Sequence, residues 1–198
     1  IHMWDAYTGE RKGSYRGYNH LDENDAAISV AFNHDGSRIY AGYNRMIRVF
    51  HTARPGRDFE SRATSVSRRS RSGQRGLISC LSFNPDMSGL FAAGSYAKTT
   101  CLYEERSRAC LMTLDEEHAG GVTQVTWSHT RQLLLTGARR DPEIKVWDIR
   151  NTGNVLHRLQ RVAANNQRIC FDADPTGQYC VTGSQDGRTI TYDLMSGE

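Results

Sequence analysis

The chain has 198 residues, of which 38% are hydrophobic and 24% are charged, and it contains nine tyrosines and three tryptophans. So many apolar anchors exclude a wholly disordered chain, and the length fits one ordinary domain. The formal net charge of +3 is modest, so overall charge alone does not indicate nucleic acid as the partner.

The predicted elements are short strands that recur along the whole chain. After an opening strand that ends at Trp4, four stretches alternate short apolar runs with turn signals. They begin at 26–32 ("AAISVAF"), 76–83 ("GLISCLSF"), 120–127 ("GGVTQVTW") and 167–173 ("QRICFDA"). In each stretch a first strand ends at an aromatic residue, a second ends near a glycine and a third ends at another aromatic residue. These positions are Phe32, Phe83, Trp127 and Phe171, then Gly42, Gly94, Gly137 and Gly183, and then Phe50, Tyr103, Trp147 and Tyr192.

The repeat period identifies the fold class. Trp4 and the aromatic residues that end the third strands are separated by 46, 53, 44 and 45 residues. Four short strands per repeat of this length, with Trp-Asp at 147–148, predict an all-β WD-repeat β-propeller rather than a helical solenoid. We expect about four blade repeats, as a fragment of a seven-bladed ring. The predicted units are approximately 5–50, 51–103, 104–147 and 148–192.

One repeat carries polar residues at a spacing typical of WD repeats. His118, Thr136, Asp141 and Trp147 resemble the buried hydrogen-bonded tetrad of such repeats, in which Asp holds a turn and His connects it through Thr to the indole. We therefore interpret His118 as structural rather than as a catalytic base or a metal ligand. The other repeats keep only part of the set, with Thr182, Asp186 and Tyr192 in the last and Ala41 and Ala93 at the threonine position of the first two.

No sequence pattern indicates catalysis, a cofactor or a metal site. Common hydrolase, zinc-protease and nucleotide motifs do not occur, and we interpret Asp172 and Asp174 as a strand end and a turn. Five cysteines with no Cys-x-x-Cys pair argue against a disulfide framework and fit a reducing compartment; Cys170 and Cys180 are predicted to be buried. We expect no enzyme activity, no small-molecule substrate and, because no 18-residue apolar run occurs, no membrane span.

Positive charge is concentrated in residues 54–75, which hold seven arginines and two acids, a local charge of +5. We predict that an outer strand runs from Arg62 to about Val66. An enlarged basic loop should follow at 67–76, and its central arginines are Arg68, Arg69 and Arg71.

Loops that enter a blade and turns between its second and third strands project from one face of a propeller. Sequence places Arg45, Lys98, Arg139, Arg140 and Arg168 in such loops and turns, on the same face as the basic loop. This face can dock nucleic acid, because the planar arginine fork binds two phosphate oxygens and clustered cations release counterions. The alternative is a solvated charged surface, which is the commoner meaning of a charge run.

Four phrases go beyond generic repeat chemistry. They are "IHMWDAYTGERKGSYRGYNHLDE" at 1–23, "VFHTARPGRDFESRAT" at 49–64, "TGARRDPEIKVWDIR" at 136–150 and "NNQRICFDADPTGQ" at 165–178. In this order and spacing they resemble the telomerase Cajal body protein family of WD-repeat proteins, nearly end to end. The resemblance implies a nuclear, non-catalytic scaffold of Cajal bodies, without a cofactor.

The resemblance also implies an RNA ligand. Members of that family recognise the CAB box of H/ACA-type small Cajal body RNAs and of telomerase RNA, and direct these ribonucleoproteins to Cajal bodies and telomeres. The expected partners are these RNAs, with H/ACA ribonucleoprotein and telomerase components. The candidate RNA-binding residues are Arg45, Arg68, Arg69, Arg71, Arg139, Arg140 and Arg168. The competing interpretation is a protein-interaction scaffold that docks acidic or phosphorylated peptides without specific RNA binding.

Overall fold

The computed structural model describes residues 1–65, 73–114, 117–130, 132–151 and 154–198. Regular structure in these residues consists of short strands and one 3-10 turn at Ile149–Asn151. The strands are β1 (His2–Trp4), β2 (Arg11–Ser14), β3 (Gly17–Tyr18), β4 (Asn24–Asp25), β5 (Ser29–Phe32), β6 (Arg38–Tyr43), β7 (Met46–His51), β8 (Glu60–Ala63), β9 (Ile78–Phe83), β10 (Leu90–Ser95), β11 (Thr100–Glu104), β12 (Cys110–Thr113), β13 (Val122–Trp127), β14 (Leu133–Ala138), β15 (Glu143–Asp148), β16 (Val155–Gln160), β17 (Phe171–Ala173), β18 (Tyr179–Gly183) and β19 (Thr189–Asp193). None of the helical structure described could cross a membrane, being too short and too polar.

Consecutive strands form antiparallel sheets. Strands β5–β8 form blade 1, β9–β12 form blade 2, β13–β16 form blade 3 and the three strands β17–β19 form blade 4. Two small hairpins, β1–β2 and β3–β4, precede blade 1. The predicted repeat units end on the third strand of a sheet, so unit and blade are offset by one strand.

Apolar side chains on both faces of the blades explain why the sheets stack. In β14, Leu134 packs towards blade 2, whereas its neighbours Leu133 and Leu135 pack towards blade 4. Side chains alternate between the two faces of a strand, so a continuous apolar run supplies two cores. Between blades 1 and 2, Tyr40 and Phe91 lie with ring centroids 5.2 Å apart in a third core.

Pairing across the first turn of each blade corrects one predicted register. Phe32, Phe83 and Trp127 each end the first strand of their blade. Each lies three residues after the first-strand residue that pairs with the glycine near the end of the second strand. In blade 4, the Gly183 N–H donates to the Cys170 carbonyl, so the matching residue is Ala173. The prediction of Phe171 was wrong by two residues, because residues two apart share a face and both satisfy the apolar pattern.

The structure also corrects the predicted end of the outer strand of blade 1 and the predicted burial of one cysteine. Strand β8 ends at Ala63, earlier than the predicted Val66, which lies outside the described residues. Gln74, placed in the basic loop by sequence, is fully buried. Cys170 is exposed, contrary to prediction, because it precedes the start of β17, whereas Cys180 is buried within β18.

Two of the four distinctive phrases lie against each other. The buried Tyr15 hydroxyl donates to the Thr52 carbonyl at 2.7 Å, which ties the segment after β2 to the β7–β8 loop. Farther along, the Arg57 guanidinium lies 3.7 Å from the Tyr18 ring centroid and pairs with Asp22. These contacts hold the β3–β4 hairpin beside blade 1.

Candidate nucleic-acid interface

The four predicted tetrad residues form one hydrogen-bonded chain inside blade 3. His118 Nδ1 lies 2.7 Å from Asp141 Oδ2, and His118 Nε2 lies 2.8 Å from Thr136 Oγ1. The Trp147 indole N–H donates to the same Thr136 hydroxyl at 3.0 Å. All four side chains are buried, so each polar group depends on its protein partner.

Asp141 connects this chain to the β14–β15 turn. Its carboxylate accepts the backbone N–H groups of Ala119 and Glu143 at 2.9 and 3.0 Å. Burial alone would raise the pKa of the Asp141 carboxyl, but hydrogen bonds from His118 and from the Glu143 and Ala119 amides lower it to about 2. The ionised carboxylate therefore holds the loop entering β13 against the turn.

Sequence reasoning missed two residues that take the place of His118 in neighbouring blades. In blade 2, the Tyr103 hydroxyl donates to Gln74 Oε1 at 3.0 Å, and the Gln74 amide donates to the Ala93 carbonyl at 2.7 Å. Gln74 precedes Tyr103 by 29 residues, the same spacing as His118 to Trp147, so a spacing signal was present.

In blade 4, the buried Arg161 takes the equivalent place. Its Nη1 donates to the Thr182 hydroxyl at 3.1 Å and to the Ile169 carbonyl at 2.8 Å. Arg161 precedes Tyr192 by 31 residues rather than 29, so the spacing pattern did not reveal it. Blades 2, 3 and 4 thus each fasten the entry loop through a different buried polar side chain.

These connections bring loops and turns together on one edge of the blades, which we call the turn face. The Arg45 N–H donates to the Gly76 carbonyl at 2.8 Å, and the Arg139 N–H donates to the Gly121 carbonyl at 3.1 Å. The Arg140 N–H donates to the Asn165 carbonyl at 3.1 Å. The turn face therefore consists of the β6–β7, β10–β11 and β14–β15 turns with the loops entering β9, β13 and β17.

Three cations on the turn face have left-handed backbone conformations. The φ angles are 57° at Arg45, 71° at Lys98 and 53° at Arg140. In blade 4, Gly187 takes the turn position that Lys98 has in blade 2. Both backbone N–H groups donate to the carbonyl of a serine three residues earlier. A non-glycine residue in this region costs roughly 1–2 kcal/mol, so cations stand where glycine would be less strained.

Three cationic side chains of the turn face, those of Lys98, Arg139 and Arg140, surround one cavity. It has a volume of about 390 Å³ and is lined by Lys98, Ala119, Gly120, Gly121, Arg139, Arg140 and Asn166. Lys98 comes from blade 2, the two arginines from blade 3 and Asn166 from the loop entering blade 4. None of the lining residues is acidic, and no described acid forms an ion pair with these three cations.

Two glycines allow the loop to lie flat under the cavity. A Cβ at Gly120 would lie 1.8 Å from the Arg139 carbonyl oxygen, and one at Gly121 would lie 3.0 Å from the Tyr96 Cα. The first separation excludes a side chain and the second is tighter than most real contacts, so the floor of the cavity is backbone. Its walls are long cationic side chains.

The other described residues of the prediction, Arg45 and Arg168, do not line this cavity. Arg45 belongs to the β6–β7 turn of blade 1, the blade next to the one that supplies Lys98. Arg168 is exposed on the loop before β17. Burial raises the pKa of the Cys80 thiol to about 12, and the positive charge of Arg168 opposes that rise. Arg68, Arg69 and Arg71 lie outside the described residues.

Comparison with known proteins agrees with this architecture. The WD40 family (WD domain, G-beta repeat) matches residues 13–51 and 108–148. Telomerase Cajal body protein 1 of Mesocricetus auratus is 45% identical over 194 residues, covering 98% of this chain and 35% of that protein. The Homo sapiens protein of the same name is 46% identical over 193 residues, covering 98% of this chain and 34% of that protein. This chain belongs to the telomerase Cajal body protein family.

The family assignment confirms the resemblance stated from the sequence. The chain spans about a third of the length of these relatives. A solved WD40 beta propeller domain, that of Doa1, superimposes with a TM-score of 0.63 at 20% identity, covering 86% of this chain and 51% of that one. That likeness confirms the predicted all-β WD-repeat β-propeller fold.

Proposed function

We propose that this protein is a non-catalytic RNA-binding scaffold of the nucleus and its Cajal bodies. Its ligand would be the CAB box of H/ACA-type small Cajal body RNAs and telomerase RNA. In this proposal it directs these particles, with their H/ACA and telomerase proteins, to Cajal bodies and telomeres. The observation that carries the proposal is the cavity on the turn face, where the described lining contains cations from two blades and no acid.

The chemistry of the cavity suits a phosphodiester chain. Arg139 and Arg140 offer planar forks that can each take two phosphate oxygens, and Lys98 adds a point charge. The glycine backbone lets a polyanion approach closely, and none of the described lining residues is acidic. Unpaired loops of RNA expose both phosphates and base edges, so they fit such a site better than a closed duplex.

Removing two charges tests the proposal. In the intact protein, the double variant Arg139→Ala/Arg140→Ala should bind a CAB-box hairpin more weakly, and its affinity should depend less steeply on salt. The matched control is Arg106→Ala/Arg150→Ala, which loses the same charge from exposed loops on the opposite edge. The control should keep the affinity and nearly the same salt dependence.

The hairpin sequence distinguishes the competing functions. The intact protein should bind the CAB-box hairpin more tightly than one with a scrambled loop. Equal weak binding to both hairpins would contradict specific RNA recognition and favour docking of acidic or phosphorylated peptides. Unchanged affinity in the double variant, with folding preserved, would remove Arg139 and Arg140 from the site.

A further inference from the structure

An exposed tyrosine stands beside the cavity without a role in any core. Tyr96 lies in the β10–β11 turn, and 36% of its surface is exposed. Arg139 and Gln185 take the same turn position in blades 3 and 4, since each donates its N–H to the loop entering the sheet. An aromatic ring is therefore not required by the turn itself.

The ring of Tyr96 is held in place from two sides. The Arg139 guanidinium lies 4.3 Å from the ring centroid, within the range of a cation–π contact. A Cβ at Gly121 would meet the Tyr96 Cδ1 at 3.1 Å, so this glycine allows the ring to lie close to the loop. The Tyr96 N–H is also fixed, because it donates to the Leu77 carbonyl at 3.0 Å.

A fixed aromatic ring beside a cationic cavity has the parts needed to bind an unpaired nucleotide. Arg139 both touches the ring and lines the cavity, so the two features are continuous. Any of the four bases can stack on an aromatic ring, while the attached phosphate contacts the cations. Base pairing inside a duplex would keep the base faces covered by neighbouring pairs and prevent this contact.

We infer that Tyr96 is a stacking platform for one unpaired RNA base, whose phosphate is held in the cavity of Lys98, Arg139 and Arg140. The inference rests on the proposed function and adds the residue that selects unpaired nucleotides. Tyr96 acts through its ring, whereas the cations act through charge. The two contributions respond differently to salt.

The test replaces the ring in the intact protein and measures hairpin binding across a salt series. Tyr96→Leu should lower affinity for the CAB-box hairpin by about 5- to 100-fold, as expected when one stacked base is lost, and should leave the salt slope unchanged. Tyr96→Phe keeps the ring and should bind within about twofold of the unchanged protein. Tyr7→Leu is the matched control, since that side chain is fully exposed between β1 and β2.

A fluorescent base analogue in the hairpin loop reports stacking directly. 2-Aminopurine should be quenched on binding to the unchanged protein and to Tyr96→Phe, but less so with Tyr96→Leu. Hairpin discrimination with full affinity in Tyr96→Leu would overturn this inference and leave the proposed function intact. A flattened salt slope in Tyr96→Leu would also overturn it, because the ring would then act only by positioning Arg139. Failure of the unchanged protein to discriminate hairpins would instead contradict the proposed function.

Discussion

The Thr136 hydroxyl is the central link of the buried chain in blade 3, and replacing it with valine tests how much that chain contributes to stability. The proton placement consistent with the contacts has Trp147 donating to the hydroxyl, the hydroxyl donating to His118 Nε2, and Nδ1–H donating to Asp141. Valine keeps the shape of threonine but can neither accept nor donate. It would leave the indole N–H and the imidazole nitrogen buried without partners.

The expected loss follows from these two groups. Leaving one buried polar group unsatisfied costs about 1–3 kcal/mol, so Thr136→Val should lower the free energy of unfolding by about 3 kcal/mol. Thr123→Val is the matched control in the same blade. The Thr123 hydroxyl is also buried, but it makes a single long hydrogen bond of 3.3 Å to the Gly137 carbonyl. Its loss should cost about 1 kcal/mol or less.

Thermal unfolding of the intact protein provides the assay. For a domain of this size, 1 kcal/mol shifts the melting temperature by about 2–4 °C, so Thr136→Val should melt roughly 6–12 °C lower and Thr123→Val at most about 4 °C lower. Equal shifts in the two variants would refute the reasoning. They would mean that the loss reflects burial of valine rather than the hydrogen-bonded chain.

Three further predictions concern acid stability, isolated blades and the cavity floor. Because its pKa is lowered to about 2, ionised Asp141 stabilises the fold fully above its ordinary pKa of 3.8, and this contribution disappears as the pH falls towards 2. The stability gap between the unchanged protein and Asp141→Asn should therefore narrow over that interval in denaturant titrations, and a constant gap would contradict the pKa assignment. The 198-residue chain alone should bind an apolar dye, because Phe32 and Tyr179 at opposite ends of the row of blades are 52% and 41% exposed; a cooperative, monomeric melt without dye binding would argue against this. Gly120→Ala should melt lower and bind the hairpin more weakly, because its Cβ would collide with backbone, whereas Gly183→Ala, with its nearest atom at 3.4 Å, should change little. Similar melting temperatures and affinities for both variants would show that the floor is not closely packed.

Features that depend on local chain chemistry could be predicted from the sequence. Alternating apolar runs, turn residues and a period near 45 indicate short strands grouped into blades, because strand and turn preferences act over a few residues. The spacing of His118 and Trp147 likewise predicted a buried contact that the structure places in blade 3. Loop cations could be assigned to one face from strand order alone.

Features that depend on contacts between blades required the tertiary structure. Ala173 rather than Phe171 ends the first strand of blade 4, because pairing across the turn, not apolarity, sets the register. Gln74 and Arg161 replace histidine through contacts that span separate loops and strands.

The candidate site shows the same division. Sequence by itself determined that strands form blades and that cations occupy the turns and entry loops, because both follow from local residue order. Only the tertiary structure decided that Lys98, Arg139 and Arg140 share one cavity, with Tyr96 beside it and Gly120 beneath it. Those side chains come from different blades, and their separation in space is set by how the sheets pack face to face rather than by any preference of the chain around them.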